Sequence, residues 1–211
     1  MVRFNRGDNM LRTEVKTKLK NTFSRYKFVM RTSELMAEKI YYADIQNLLE
    51  EGLIEKIRRG YYQWIEELDG SEIKIINRLF PDAVLCMDTA LFYYKYSDRN
   101  PTAWHISIDK NASRKRTKID YPFIKAYRME SVLLTIGETI GEIDFLEVRI
   151  YDRDRTICDV LRNMNKMDKE LFNKAIQNYV KDPRKNVPNL MLYAKRLKIQ
   201  KRVRDLIGVW L

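Results

Sequence analysis

Hydrophobic positions between Met30 and Trp64 change their spacing along the chain. In the first half, apolar residues recur at the three-to-four-residue interval of helices, whereas the second half has the short apolar runs of strands. The pattern predicts a short helix capped by Thr32 or Ser33 and a second helix from about Tyr41 to Glu51. Both helices have one apolar face.

The rest of this segment predicts a β-hairpin after Gly52. Residues 53–57 and 61–64 have the composition of strands, and Arg58-Arg59-Gly60 between them predicts a turn with two positive charges. Two short helices followed by a hairpin are typical of a winged helix-turn-helix, whose second helix enters the major groove of DNA.

Beyond Trp64 the pattern predicts a second region in which strands come first and helices last. The predicted helices are 71–80, Thr89–Tyr96, Asp152–Met164, Asp168–Val180, Val187–Leu197 and Gln200–Val209, and the predicted strands are Ala103–Ile108, Phe123–Arg128, Thr139–Ile143 and Leu146–Tyr151. The fold class expected is therefore α+β: an N-terminal winged helix-turn-helix at residues 1–66 and a mixed α/β domain with a helical tail at residues 71–211. The polar residues 66–70 are the expected connection.

Candidate DNA contacts are the side chains that the predicted motif leaves exposed. Amides bond bidentately to adenine, and arginines suit phosphates or a narrow minor groove. The candidates are Arg31, Thr32, Ser33, Tyr41, Tyr42, Gln46, Asn47, Arg58 and Arg59. A helix followed by a hairpin is also found as a packing unit or a protein-docking surface, and acidic Asp44, Glu50 and Glu51 favour that alternative.

Charge favours nucleic acid as the partner. The chain has 40 Lys plus Arg against 29 Asp plus Glu, a formal net charge of +11. Nine basic residues face only Asp8 and Glu14 between Met1 and Arg31. Two more basic clusters, Lys110–Lys118 and Arg184–Arg204, are compatible with DNA, RNA or an acidic protein.

The class of protein is narrowed by what the sequence lacks. With 211 residues, no run of 18 apolar residues and no signal-peptide pattern, the chain is expected to be a soluble cytoplasmic protein. Cys86 and Cys158 lie among apolar neighbours and are expected to be core residues. We expect no metal and no cofactor, since no metal-ligand spacing or glycine-rich nucleotide loop is present.

Several segments together resemble one family. The basic winged N-terminus, FPDAVLCMDTALFYYKYSD, AWHISID, VRIYDRDRTICDVLR and LMLYAKRLKI are similar, in this order, to the AbiEi-type antitoxins of type IV toxin–antitoxin systems. The most specific piece is Arg155-Thr156-x-x-Asp159-x-Leu161, which resembles a signature of the family's C-terminal helical part. The recognition helix departs from the family pattern at Tyr41–Asp44.

The resemblance implies a DNA-binding repressor that autoregulates its own operon through inverted repeats and takes part in abortive infection, a defence against phage. It also implies a C-terminal domain that counteracts a nucleotidyltransferase-like toxin without a stable complex. More than one copy is expected on DNA, and the free protein is expected to be a monomer or a weak dimer.

An enzymatic function has less support in the sequence. Arg155 and Asp159 have the i,i+4 spacing of an ion pair, with Asp154 and Thr156 placed like helix caps, so we interpret this motif as structural. The carboxylate pair and basic residue of a metal-dependent nuclease are only loosely matched by Pro81-Asp82 and Glu147-Val148-Arg149. His105 is expected to be a packed or partly exposed side chain rather than a general base. The alternative function is a protein- or RNA-binding module that uses the basic surface of the C-terminal domain.

Overall fold

A computed structural model describes residues 6–65 and 71–210 of the chain. The fold is mixed α and β, and it divides into two compact units, one ending at Leu79 and the other beginning at Phe80. No helix among the described residues has both the length and the apolar character needed to cross a membrane.

The first unit contains four helices and three strands among its described residues. These elements are α1 (Arg6–Arg25), β1 (Val29–Arg31), α2 (Thr32–Ala37), α3 (Tyr42–Glu50), β2 (Ile54–Arg58), β3 (Tyr61–Trp64) and α4 (Glu72–Leu79). The predicted helix–helix–hairpin order is present, with the returning strand at the residues predicted for it.

An antiparallel sheet of three short strands organises this unit. The order is β1-β3-β2, so β3 is central and Arg31 lies opposite Tyr61. The core under the sheet comes from one side of each helix, since Leu35 of α2 and Ile45 of α3 are fully buried. Phe23 of α1 packs on Trp64 of β3, with ring centroids 5.4 Å apart.

Two elements of this unit were not predicted. The 20-residue helix α1 has few apolar positions, and from its described side chains, residues 14–25, Leu19 and Phe23 join the core. Strand β1 is three residues long, too short for alternation to be recognised. Helix α1 precedes the segment whose periodicity is clear, and β1 overlaps the start of that segment.

The start of α2 differs from the predicted capping. Arg31 is the N-cap, while Thr32 and Ser33 are the first helical residues. The orphan amide of Arg31 is satisfied by Glu34, whose Oε2 accepts its hydrogen bond at 2.7 Å. A carboxylate one turn into the helix therefore takes the capping role predicted for Thr32 or Ser33.

Helix α4 belongs to the first unit, although the sequence pattern predicted it as part of the second domain. Arg78 anchors it: the Nε group donates to the Val29 carbonyl at 3.1 Å, and the guanidinium pairs with Glu34. The two compact units divide between Leu79 and Phe80. The predicted connection at residues 66–70 lies outside the described residues.

The second unit places a mixed sheet before a group of helices. Its elements are β4 (Val84–Leu85), α5 (Met87–Tyr93), β5 (Trp104–Asp109), β6 (Ile124–Met129), α6 (Ser131–Leu134), β7 (Glu138–Ile143), β8 (Leu146–Tyr151), α7 (Arg153–Asn163), α8 (Lys169–Lys181), α9 (Val187–Arg196) and α10 (Gln200–Ile207). The sheet order is β6-β5-β4-β8-β7, with β6 and β7 at the edges.

Helix α7 is the centre of this unit. All residues from Asp154 to Leu161 are buried, and Ile157, Val160 and Leu161 join the core formed with α5, α8, α9 and α10. Its cap is Asp152, whose side chain accepts from the Arg155 amide at 2.7 Å, and not Asp154 or Thr156. Those two side chains are instead buried partners of Tyr179 and of the Tyr151 carbonyl.

Two details of this unit differ from the sequence pattern. The helix predicted at Thr89–Tyr96 is α5, which begins at Met87 and ends at Tyr93, with Cys86 as its N-cap. Strand β4 has only two residues, and its position between β5 and β8 is set by tertiary pairing rather than by sequence pattern. Cys86 and Cys158 are both fully buried free thiols, as predicted.

Candidate nucleic-acid interface

Helix α3 exposes the polar side chains that were predicted to contact bases. Ile45 and Leu48 are buried against the sheet, and the opposite side of the helix, including Gln46 and Asn47, is exposed. Tyr41 and Tyr42 are 57% and 66% exposed at the start of the helix. The amides and phenols therefore occupy the accessible side and first turn of α3.

Asp44 has a local structural role in this helix. Its Oδ2 accepts a hydrogen bond from the Tyr41 amide at 2.8 Å, which satisfies a donor at the helix N-terminus. The carboxylate is thus directed at the backbone of its own first turn, and its charge offsets the positive end of the helix dipole. Glu50 and Glu51 lie at the opposite end of α3.

Three arginines gather at the hairpin turn. The guanidinium carbons of Arg31 and Arg58 lie 5.5 Å and 4.2 Å from the centroid of the Tyr61 ring. Arg59 is exposed on the adjoining turn. A single aromatic ring therefore holds two cations close together, which concentrates positive potential at this turn.

The turn is fixed to the start of α2. Gly60 adopts a left-handed backbone with φ +80°, and its carbonyl accepts from the Thr32 amide at 3.0 Å. Thr32 is half-buried there, whereas Ser33 is exposed. The structure therefore brings Arg31, Thr32, Ser33, Arg58 and Arg59 together at one end of the unit.

Glu34 stabilises this arrangement through two contacts. It accepts from the Arg31 amide and pairs with Arg78. Burial alone would raise the pKa of its carboxyl, but these hydrogen bonds and the nearby guanidinium charges lower that pKa below its ordinary value. The ionised carboxylate ties α2 to α4 beneath the arginine cluster.

Sequence reasoning found the exposed residues but missed what positions them. Tyr61 was assigned only to a strand, and the roles of Glu34 and Arg78 as an ion pair were not anticipated. The register of Arg31 opposite Tyr61 requires strand β1, which the sequence pattern did not predict. The separation of Glu34 and Arg78 by 44 positions leaves no local signal for their pairing.

Comparison with known families addresses this same segment. Residues 18–63 match the family described as "Transcriptional regulator, AbiEi antitoxin". The matched residues run from α1 into β3 and include all of the exposed candidates above. The resemblance to AbiEi antitoxins is confirmed over this N-terminal segment. A comparison with curated proteins gave no match.

The AbiEi match ends before the second unit, so the C-terminal resemblance stays a prediction. In that unit Arg155, Thr156 and Asp159 are buried, in keeping with a structural interpretation. Arg155 donates to the carbonyls of Leu133 and Ile136 at 2.8 and 2.6 Å. This residue therefore joins α7 to α6 and to the segment between α6 and β7.

The side chains considered for enzymatic chemistry have other partners. Asp82 accepts hydrogen bonds from Nη1 and Nη2 of Arg116, and these bonds lower the pKa of its carboxyl against the effect of burial. Arg149 forms an ion pair with Glu138. His105 is buried, and burial lowers its pKa despite the nearby Asp88. Within residues 6–65 and 71–210, no three His, Cys, Asp or Glu side chains are grouped as metal ligands.

Proposed function

We propose that the first unit is a winged helix-turn-helix that binds double-stranded DNA. The support is its element order, with α2 and α3 followed by the β2–β3 hairpin, and a sheet in which β3 lies between β1 and β2. In this arrangement α3 is the recognition helix and the hairpin is the wing. The AbiEi match covers the same residues.

The proposed base contacts come from α3. Gln46 and Asn47 each offer a donor and an acceptor on one amide, the pattern that pairs with adenine in the major groove. Tyr41 and Tyr42 flank them with hydroxyl groups and apolar rings, which suit phosphates and thymine methyl groups respectively. The Asp44 carboxylate bonds to the backbone of its own helix. The proposed contacts with bases therefore come from the neutral side chains of this group.

The proposed backbone contacts come from the arginine cluster. Arg31, Arg58 and Arg59 would bind phosphates or enter a narrow minor groove, and the hydroxyls of Thr32 and Ser33 would add hydrogen bonds. The observation that carries the proposal is the convergence of Arg31 and Arg58 on the Tyr61 ring, at the turn tied to the start of α2. Such a cluster has its natural counterpart in a polyanion.

The AbiEi match over residues 18–63 supports a proposal for the biological role. We propose a transcriptional repressor and antitoxin that binds inverted repeats upstream of its own operon, with more than one copy on the DNA. Through its second unit it would counteract a nucleotidyltransferase-like toxin without forming a stable complex. The cytoplasm is the compartment in which such a regulator would act.

Fluorescence anisotropy with the full-length protein tests DNA binding. The duplex is the DNA upstream of the gene, compared with a scrambled duplex at several salt concentrations. We expect tighter binding to the upstream DNA at every salt concentration. Arg58→Ala with Arg59→Ala should weaken binding to both duplexes and flatten the salt slope by roughly one for each phosphate that is no longer bound.

A control variant with the same decrease in charge is Lys169→Ala with Lys181→Ala, two exposed positions on α8. We expect it to bind like the unchanged protein. Equal affinity for both duplexes would reject sequence reading by this unit, and unchanged binding after replacement of both arginines would reject the proposed contacts of the arginine cluster with the DNA backbone. The basic C-terminal surface would then be tested against RNA and acidic proteins.

A further inference from the structure

The edge strand β6 of the second unit begins beside two exposed aromatic rings. Tyr121 and Phe123, which lie just before the strand, are 48% and 64% exposed. Their rings contact each other edge to face, with centroids 6.5 Å apart. An exposed phenylalanine removes little apolar area from water on folding, so most of this ring contributes nothing to the stability of its own unit and is accessible to a partner.

The aromatic surface continues along the strand and includes a lysine. Phe123 is held in register because its carbonyl accepts from the Trp104 amide of β5 at 2.8 Å. Side chains two residues apart lie on the same side of a strand, so Phe123, Lys125 and Tyr127 share a side. Nζ of Lys125 lies 5.8 Å from the centroid of the Tyr127 ring, and that ring lies 5.5 Å from His105. These contacts join the rings and the lysine in one row.

The segment around this row is strongly basic. Residues 110–128, which contain the loop before β6 and most of the strand, have seven Lys or Arg residues and one acidic residue, Asp120. Arg128 donates to the Ala112 carbonyl at 2.6 Å, which holds the start of the loop against the strand. The loop therefore adds positive potential beside β6. The exposed cations of the segment include Arg114, Lys115, Lys118 and Lys125.

A single-stranded nucleic acid has a use for both features. Its unpaired bases stack on exposed aromatic rings, and the phosphates between them bind cations. In a duplex the bases are stacked on each other, so their faces are closed to Tyr121 and Phe123. An acidic peptide carries charge without a ring at each position, whereas every nucleotide carries both. The alternation of cations and rings from Lys118 to Lys125 therefore fits a nucleotide chain better than a peptide.

We propose that Tyr121, Phe123 and Lys125 form a binding site for a single-stranded nucleic acid. Bases stack on the two rings, Lys125 binds a phosphate, and the exposed cations of the preceding loop attract the strand. Oδ1 of Asp88 lies 3.6 Å from Nδ1 of His105 at the other end of the row, so the phosphate-binding part ends at Lys125. These residues belong to the second unit and are distinct from the proposed duplex contacts of the first.

Fluorescence anisotropy of the full-length protein with labelled single strands tests the site. The probes are an oligouridylate and the matching oligodeoxyuridylate, each of about 12 nucleotides. We expect both to bind, and a preference for one distinguishes RNA from single-stranded DNA through the 2′-hydroxyl. Phe123→Ala should weaken binding roughly tenfold or more, because a stacked base is lost, and Phe123→Tyr should retain it. Phe145→Ala, which alters another exposed phenylalanine of this unit, should bind like the unchanged protein.

The role of the lysine is tested through salt. Lys125→Ala should weaken binding and flatten the slope of log affinity against log salt by about 0.7 for one lost phosphate contact. Lys169→Ala, at an exposed position of α8, removes the same charge and should leave binding unchanged.

Binding to the upstream duplex separates this site from the proposed DNA-binding unit. Neither Phe123→Ala nor Lys125→Ala should change that binding, and circular dichroism checks that each variant is folded. Three results would each overturn the proposal: single strands that do not bind, an affinity for them unchanged by Phe123→Ala, or a loss caused by Arg58→Ala with Arg59→Ala and not by Phe123→Ala.

Discussion

Arg155 and Asp159 form an ion pair within one turn of α7, with Nε 3.2 Å from Oδ1, and both side chains are buried. The guanidinium also lies over the Tyr151 ring, 4.1 Å from its centroid. Burial raises the pKa of the Asp159 carboxyl, against the opposing charge of Arg155. Two buried charges thus depend on each other.

Removing one member of this pair should cost more than removing both. Arg155→Met leaves an uncompensated buried carboxylate, so we expect unfolding free energy to fall by about 3–5 kcal/mol. The double variant with Asp159→Leu should recover part of that stability. Urea denaturation measures each change, with Arg162→Met on the exposed side of α7 as control. A single variant no less stable than this control would contradict the interpretation.

Gly137 and Gly52 make a matched pair for backbone effects. Both have a left-handed backbone, with φ of 72° and 66°. A Cβ added at Gly137 would lie 2.4 Å from Cβ of Arg155, whereas a Cβ added at Gly52 would have no neighbouring atom within 4 Å. We expect Gly52→Ala to cost about 1–2 kcal/mol from backbone strain alone. Gly137→Ala should cost clearly more in thermal or urea unfolding, and equal costs would show that the crowding is readily relieved.

Asp182 should contribute to stability in a pH-dependent way. Hydrogen bonds from Arg184 hold the pKa of this buried carboxyl well below its usual range, against the effect of burial. The stabilisation is therefore present above the unfolded value, about pH 3.9, and disappears as pH falls towards the folded value. The stability difference from Asp182→Asn should be largest near neutral pH and shrink in acid. A difference that grows in acid would have the wrong sign.

Substitutions of the α3 amides and of the hairpin arginines should affect DNA binding differently. Gln46→Ala or Asn47→Ala should reduce the preference for the upstream duplex, because the variant can no longer form a bidentate pair with a base. Each lost pair should cost about 1–3 kcal/mol of binding free energy on the upstream duplex. Binding to scrambled DNA should change little. Arg59→Ala should weaken both complexes alike. Anisotropy titrations of the two duplexes measure this ratio. A uniform weakening by the amide variants would assign them to the backbone.

Periodicity predicted most elements because their buried residues recur at the regular spacing of a helix or a strand. Ile45 and Leu48 mark one side of α3, and strand β8 has the bounds predicted for it at Leu146–Tyr151. Elements whose existence depends on distant partners were missed. Strand β4 has two residues and is defined by its neighbours β5 and β8, while the sparse apolar positions of α1 concealed a long helix.

The candidate interface was predictable as a set of exposed residues, but its construction was not. Gln46 and Asn47 follow from the helical spacing of α3. The convergence of Arg31 and Arg58 depends on β1 pairing with β3, and this register places Arg31 beside Tyr61. Helix capping was predicted poorly, because backbone donors bond to Glu34 in α2 and to Asp152 at α7. The residues expected in these roles were Thr32 or Ser33 for α2, and Asp154 and Thr156 for α7.

The pairing of Glu34 with Arg78 sets a lower limit on the autonomous N-terminal fragment. A polypeptide ending after Trp64 would retain α2, α3 and the hairpin, yet it would lack the cation that neutralises Glu34 and the donor to the Val29 carbonyl. We therefore expect the shortest fragment that folds by itself to extend to Leu79. A transplant of the proposed DNA-binding unit onto another protein would need α4 as well.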